Sequence, residues 1–487
     1  MLETLQANWP HVLAVLSVLM GVPAAIHATM TKREVRSAIG WVGVIVLSPI
    51  VGALLYGVAG INRMRRHTVG LQRMQLARTA DRLAVSGPVG AVAVAEKFGG
   101  RLGALKRLSD KVTRAPLTDG NAITPLLDGD TAYAAMLEAI ATAERSVLIE
   151  TYIFSRDVIG LRFVAALSAA RRRGVAVKVL IDAVGARYSV PSIVGALREA
   201  DIDVSVFNGN IVMGLRLPYA NLRTHRKIMI VDGAVAFTGG MNIRAEFTRE
   251  CAGDKASLDT HFRVTGPVVA DLFRIAAEDW LYASHTPLEG EAWAYSPLSH
   301  TPDEDPVLAR AVATGPDRAN ETNHKLLCGA ISVAENTITI MSPYFLPDRE
   351  LIGALVTAAR RGVSVDIIVP SVNNLTLVDR AMTGQFEQIL GGGCRIFRAP
   401  GTFNHSKLFV IDETWSFVGS SNIDPRSLRL NFEIDLEIYD TGFAQLIETR
   451  IRELARGAEE VTVERLRARP FITRLIDRIF WLGSPYL

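Results

Sequence analysis

The feature that most restricts what this chain can fold into is a stretch that occurs twice. One copy runs from Thr224 to Asn242 and the other from Asn404 to Asn422. His225, Lys227, Asp232, Gly239 and Asn242 recur in the same order and spacing as His405, Lys407, Asp412, Gly419 and Asn422. Each copy reads as a β-hairpin. Residues two apart on a strand share a face, so each histidine projects together with its lysine. Each aspartate falls at the opposite parity, next to the turn, and Asp232-Gly233 is a strong hairpin-turn pair. The aspartates belong to the motif, but their parity suits a supporting task better than direct proton transfer.

The repetition reaches further. Ser146 to Phe154 is a strand rich in Val, Ile and Tyr, Ile159 to Arg173 has helical spacing, Gly174 stops it, and Val175 to Ile181 is an apolar strand interrupted only by Lys178. The same β-α-β order returns in Ala334 to Ser342, Arg349 to Arg361 and Val363 to Val369. Such a unit signals a parallel or mixed sheet covered by helices. A repeat this long means two similar domains rather than a solenoid, and 487 residues allow two cores.

With 49% hydrophobic residues and a mean hydropathy of +0.22, the chain is apolar for a soluble enzyme. The excess lies at the N-terminus. Val12 to Ala28 and Ile39 to Ile61 are apolar runs joined by a short link holding Lys32, Arg33, Glu34 and Arg36. A bilayer core takes about 20 helical residues, so the second run is expected to span fully. The first, with Pro23 and His27, is marginal and also suits a re-entrant or interfacial helix. Glu3 and the lack of basic residues before Trp9 argue against a cleaved signal peptide. Arg63, Arg65, Arg66, Arg73, Arg78 and Arg82 follow the second run, which by the positive-inside rule places the bulk of the chain on the cytoplasmic side. Cys251, Cys328 and Cys394 have no metal-ligand spacing and read as ordinary thiols.

The segments expected are a membrane hairpin (1–62), a basic juxtamembrane linker (63–117), a first domain (118–283), a linker (284–305), a second domain (306–464) and a basic amphipathic helix (465–487). That last helix suits a membrane surface and a protein surface equally.

Paired His-Lys motifs point to phosphoryl chemistry. One imidazole can form a covalent phosphoryl intermediate while a second protonates the departing alkoxide and later deprotonates the acceptor. Lys227, Lys407, Asn242 and Asn422 supply charge and directed donors to phosphate oxygens. Asp259 and Glu433 are placed where each can fix an imidazole tautomer. No metal or cofactor is needed. A net charge of +3, without a basic-aromatic groove, argues against nucleic acid.

These residues resemble the phospholipase D superfamily, marked by His-x-Lys-x-x-x-x-Asp in two copies. The likeness covers about Thr118 to Asp440, including Asn221 to Lys227, Ser342 to Pro347 and Gly419 to Ser427. With its apolar runs and basic tail, the chain is similar to the bacterial cardiolipin synthases of that superfamily. The resemblance implies an α/β fold: two similar phospholipase-D-like domains, each a mixed sheet flanked by helices, related by a pseudo-twofold and preceded by a transmembrane helical hairpin. It implies a multi-pass protein of the bacterial inner membrane acting on phosphatidylglycerol to give cardiolipin and glycerol. His225 would be the nucleophile and His405 the acid and base. A hydrolase passing the phosphatidyl group to water would use the same residues. The first copy has Gly-Gly-Met where the second has Gly-Ser-Ser, removing a hydroxyl donor at Met241. The number of subunits stays open.

Overall fold

A computed structural model of the protein describes residues 2–32, 34–60, 88–208, 222–294, 306–316 and 321–484. The chain forms two compact units, Met1–Arg65 and Arg66–Leu487. The arginines expected to follow the membrane segment, Arg63 to Arg82, and Asn221 lie outside the described residues.

In the first unit, helix Leu2–Thr31 is continuous through Pro10 and Pro23. Its segment Asn8–Thr31 is long and apolar enough to cross a membrane, about 36 Å at the helical rise. The second apolar run is not one helix. It breaks at Ser48 (φ −144°, ψ 81°) between Val35–Leu47 and Pro49–Leu55, because a residue before proline is pushed out of the helical region. Gly52 lets the two pieces fold together: a Cβ there would sit 2.5 Å from the Val44 carbonyl oxygen. The sequence expectation is therefore reversed, with the run around Val12 to Ala28 forming the single long helix and the described part of the second run, Ile39 to Gly60, the interrupted one.

The second unit is built on one sheet that contains both repeats. From one side, strands Asp203–Phe207, Ala176–Asp182 and Ser146–Thr151 run parallel, followed by antiparallel Ile228–Val231, Val235–Gly239, His261–Thr265 and Thr118–Leu126. The order then runs in mirror sequence through Val307–Thr314, Asn431–Tyr439, Trp415–Gly419, Leu408–Ile411, Thr337–Met341, Ser364–Pro370 and Arg395–Ala399. Its centre is the antiparallel pair Thr118–Leu126 with Val307–Thr314. A palindromic order about an antiparallel pair is a pseudo-twofold relation between the repeats. Continuous apolar strands such as Val147 to Ile149 and Ile367 to Val369 are buried under helices on both faces, as a parallel segment requires.

Within the basic juxtamembrane segment, expected to be helical in part, residues 88–117 are described. Helices Ala91–Phe98 and Gly100–Val112 lie on the core of the second repeat through Val94, Leu102 and Leu105. Ser109 Oγ donates to Glu437 (2.8 Å), and Arg101 pairs with Asp412 (2.5 Å). The C-terminal segment forms helices Val463–Ala468 and Phe471–Leu482, the latter packed along helix Thr376–Leu390.

Candidate active site

Both hairpins turn with two successive residues at positive φ: Asp232 and Gly233 (54° and 63°), Asp412 and Glu413 (49° and 51°). This is the tight turn that matches strand twist. Neither aspartate lines the cavity described below. Asp232 accepts the backbone N–H groups of Glu144, Arg145 and Ser146 at 2.9, 2.7 and 2.8 Å, and Asp412 accepts those of Glu335, Asn336 and Thr337 at 2.9, 2.7 and 2.8 Å. Each carboxylate fixes its turn to the start of the neighbouring strand. As direct participants in the chemistry, Asp232 and Asp412 are thereby corrected: the pleat sends them away from the histidines, as their parity implied.

The histidines sit where the repeats exchange backbone. Arg223–Thr224 pairs with Asn431 and Phe432 of the other repeat, and Leu258 bridges to Asn404. His225 N–H donates to Phe432 O (2.8 Å) and His405 N–H to Leu258 O (2.7 Å). The residues after those acceptors are Glu433 and Asp259, so each imidazole meets a carboxylate from the opposite half. His225 Nδ1 lies 2.9 Å from Glu433 Oε2 and His405 Nδ1 lies 2.9 Å from Asp259 Oδ2. A carboxylate accepts, so each pairing favours the proton on Nδ1 and the lone pair on Nε2; at His405 the same Nδ1 also lies 2.9 Å from Lys407 Nζ, which offers a competing donor. The sequence pointed to these two carboxylates but not to the crossing.

Lys227 Nζ donates to His225 O (2.7 Å) and Lys407 Nζ to His405 O (2.5 Å), which keeps each cation next to its histidine although neither lysine lines the cavity described below. Asn242 Oδ1 accepts Ile153 N–H (3.1 Å), which leaves its amide N–H groups to donate. Asn422 is buried with Ser427 Oγ 3.4 Å from its Nδ2. Gly240 has no room for a side chain, because a Cβ would lie 2.7 Å from Asp259 Oδ2 and 3.1 Å from Lys407 Nζ. Its counterpart Ser420 instead donates to Glu433 (2.6 Å). The missing hydroxyl that bears on the site is thus at Gly240; Met241 corresponds to Ser421, which serves Asp435 (2.5 Å).

His225, His405, Asn242 and Asn422 line one cavity of ≈ 200 Å³ with Tyr152, Tyr188, Phe247, Tyr344, Phe403 and Arg426. The tyrosines were missed by sequence reasoning, although each repeat supplies one just after its first β-α-β strand, in Thr151 to Phe154 and Pro343 to Phe345. Tyr152 lies against His225 (centroids 5.1 Å) and Tyr344 against His405 (6.2 Å).

Burial dominates the electrostatics. It lowers Lys227 to about 7, opposed by Glu433, and Lys407 to about 8, opposed by Asp259. Burial and then Lys407 lower His405 to about 3, while burial and then Lys227 hold His225 well below its usual range. Burial raises Glu433 against the pull of Lys227. For Asp259 burial also pushes upward, but the His405 hydrogen bond and Lys407 outweigh it and leave the carboxyl low. The floor is near-symmetric in residue type and unequal in charge, with the firmer anion beside His405.

A family model described as cardiolipin synthase, PLD-like domain, matches residues 136–252 and 327–455, and one described as phospholipase D-nuclease N-terminal matches residues 12–60. Similar chains include cardiolipin synthase A of Pseudomonas aeruginosa LESB58, 32% identical over 96% of this chain and 94% of that one. The cardiolipin synthase of Alkalihalophilus pseudofirmus is 30% identical over 94% and 90%. The crystal structure of phosphatidylserine synthase from Haemophilus influenzae Rd KW20 superposes with a TM-score of 0.59 at 16% identity, covering 79% of this chain and 100% of that one, a likeness of fold. The chain belongs to the phospholipase-D-like cardiolipin synthase family.

Proposed function

We propose that the protein is a membrane phosphatidyltransferase that joins two phosphatidylglycerol molecules into cardiolipin and releases glycerol. The observation that carries this reading is the crossed pairing of His225 with Glu433 and His405 with Asp259 around one cavity. The cardiolipin synthases it resembles match over nearly the whole chain.

In the first step His225 Nε2 attacks phosphorus, the bond to the glycerol oxygen breaks, and His405 gives that oxygen a proton. In the second, His405 takes the proton from a glycerol hydroxyl of another phosphatidylglycerol, the alkoxide attacks phosphorus, and the P–N bond breaks to free His225. Asn242 and Asn422 line the cavity and can donate to the non-bridging oxygens, while Lys227 and Lys407, buried beside the histidines, stabilise the charge that gathers there through their field. Without substrate burial, and then the lysines, keep both imidazoles neutral at pH 7, which suits a nucleophile. An entering phosphodiester anion offsets the lysine charge and raises the imidazole pKa values, so that His405 takes up from solvent the Nε2 proton it gives to the glycerol oxygen in the first step. Asp259, the carboxylate held low, favours the imidazolium at His405, and this supports His405 as the acid. Apolar lining residues Phe247, Leu346, Leu375, Val378 and Phe403 disfavour water as the acceptor.

The repeats, taken as 118–283 and 306–464, would be held at the inner membrane by the segment 1–62. Arginines from Arg63 to Arg82 support a cytoplasmic location for them. A membrane-impermeant reagent that labels residues after Arg63 from outside intact cells would reverse that orientation. The reaction is tested with phosphatidylglycerol in mixed micelles and His225→Ala and His405→Ala enzymes. Each is expected to lose cardiolipin formation by about 10³-fold or more, and near-normal turnover by either would end the two-histidine reading.

A further inference from the structure

Helix Phe471–Leu482 is turned the wrong way for a helix of a soluble protein. Phe471, Ile472, Leu475, Ile479 and Leu482 fall within an arc of about 100° at helical spacing, and they are 71%, 61%, 43%, 54% and 72% exposed. The side facing the protein carries Asp477, buried and bonded to Arg380 (3.2 Å) and Arg469 (2.6 Å), together with Phe480 and Trp481. Gly384 allows this close seating, since a Cβ there would lie 2.8 Å from Asp477 O. An amphipathic helix normally buries its apolar arc; here an acid is buried and the apolar arc left outside.

The geometry points to an interfacial anchor: the apolar arc of Phe471–Leu482 enters the headgroup boundary of an anionic bilayer, and the arginines on its flank bind the lipid phosphates. Arg474 and Arg478 follow the apolar arc on one side, and with Arg469 they line a cleft of ≈ 190 Å³. Glu387 also lines it, engaged by Arg467 (2.7 Å) and Arg478 (3.5 Å). Arg467, Arg469, Arg474 and Arg478 outnumber Glu387 and Asp477, so the surface favours anions. A second copy fits less well, because a twofold contact on this face would bring the same arginines together. The anchor bears on the active site through helix Thr376–Leu390, on which it rests, because Val378 of that helix and the adjoining Leu375 line the cavity. It is independent of which alcohol or water accepts the phosphatidyl group.

The test uses the full chain in phosphatidylcholine vesicles with or without phosphatidylglycerol. The exposed Cys251 is replaced by Ser, and a fluorophore is attached at Ile479→Cys or Leu475→Cys, with the exposed Leu161→Cys on helix Val158–Arg172 of the other repeat as a control. Acyl-chain spin-labelled lipid is expected to quench the first two labels in phosphatidylglycerol vesicles and to spare the control. Arg474→Gln and Arg478→Gln are each expected to weaken the helix's partitioning about fivefold. Quenching by aqueous iodide alone in both vesicle types overturns the anchor. Energy transfer between labels of two copies without lipid quenching overturns it in favour of a dimer face. Equal lipid quenching with and without phosphatidylglycerol overturns the role given to the arginines.

Discussion

At the scale of single residues, the site divides its labour between groups that meet substrate and groups that position them. Asp259→Asn and Glu433→Gln keep shape but remove the charge that orients each imidazole. Each is expected to lower kcat about 10²-fold with little change in KM, and a change confined to KM would place these carboxylates in substrate binding instead. The lysines set the pH response. Lys227 near 7 and Lys407 near 8 are charged below those values and lose the proton above them. The free-enzyme profile, kcat/KM, is therefore expected to fall as pH rises through about 7 to 8, and a flat profile to pH 10 or so would contradict the low lysines. The His, Lys and Asn residues were legible because they recur at fixed offsets. The crossing of carboxylates was not, since no local pattern says which half supplies the partner. Nor was the pairing of Ser420 with Gly240, which follows from the different space around Glu433 and Asp259.

At the scale of elements, the two turn aspartates act as bolts between strands. Asp412→Ala removes the acceptor of three backbone N–H groups and of Arg101. A loss of about 2–4 kcal/mol in stability is expected, seen as a lower Tm, with activity per folded molecule largely kept; unchanged Tm with lost activity would return Asp412 to the chemistry. The β-α-β units were readable because their second strands are Val- and Ile-rich runs, interrupted only at Lys178 and at Ser364 and Asp366, that follow the helix-stopping Gly174 and Gly362. Helices within residues 88–117 were less so. Alternating basic and apolar residues describe a helix on a membrane and a helix on a protein equally well, and only the contacts of Leu102, Leu105 and Ser109 decide. The second apolar run shows the same limit: its length suggested a span, while one dipeptide, Ser48-Pro49, divides it.

At the scale of the molecule, duplication and a shared sheet make one site from two repeats, each imidazole being incomplete without the other half. Because both His-carboxylate pairs form within one chain, mixing His225→Ala and His405→Ala proteins is expected to leave activity at the level of either alone. Recovery on mixing would mean that copies share sites. The central claim is that a second lipid, and not water, receives the phosphatidyl group. It is tested most directly by giving the purified protein phosphatidylglycerol labelled in both the acyl chains and the headgroup glycerol. One glycerol released for each cardiolipin formed, with little phosphatidic acid, is the expected result; phosphatidic acid and glycerol in equal amounts, without cardiolipin, would contradict it.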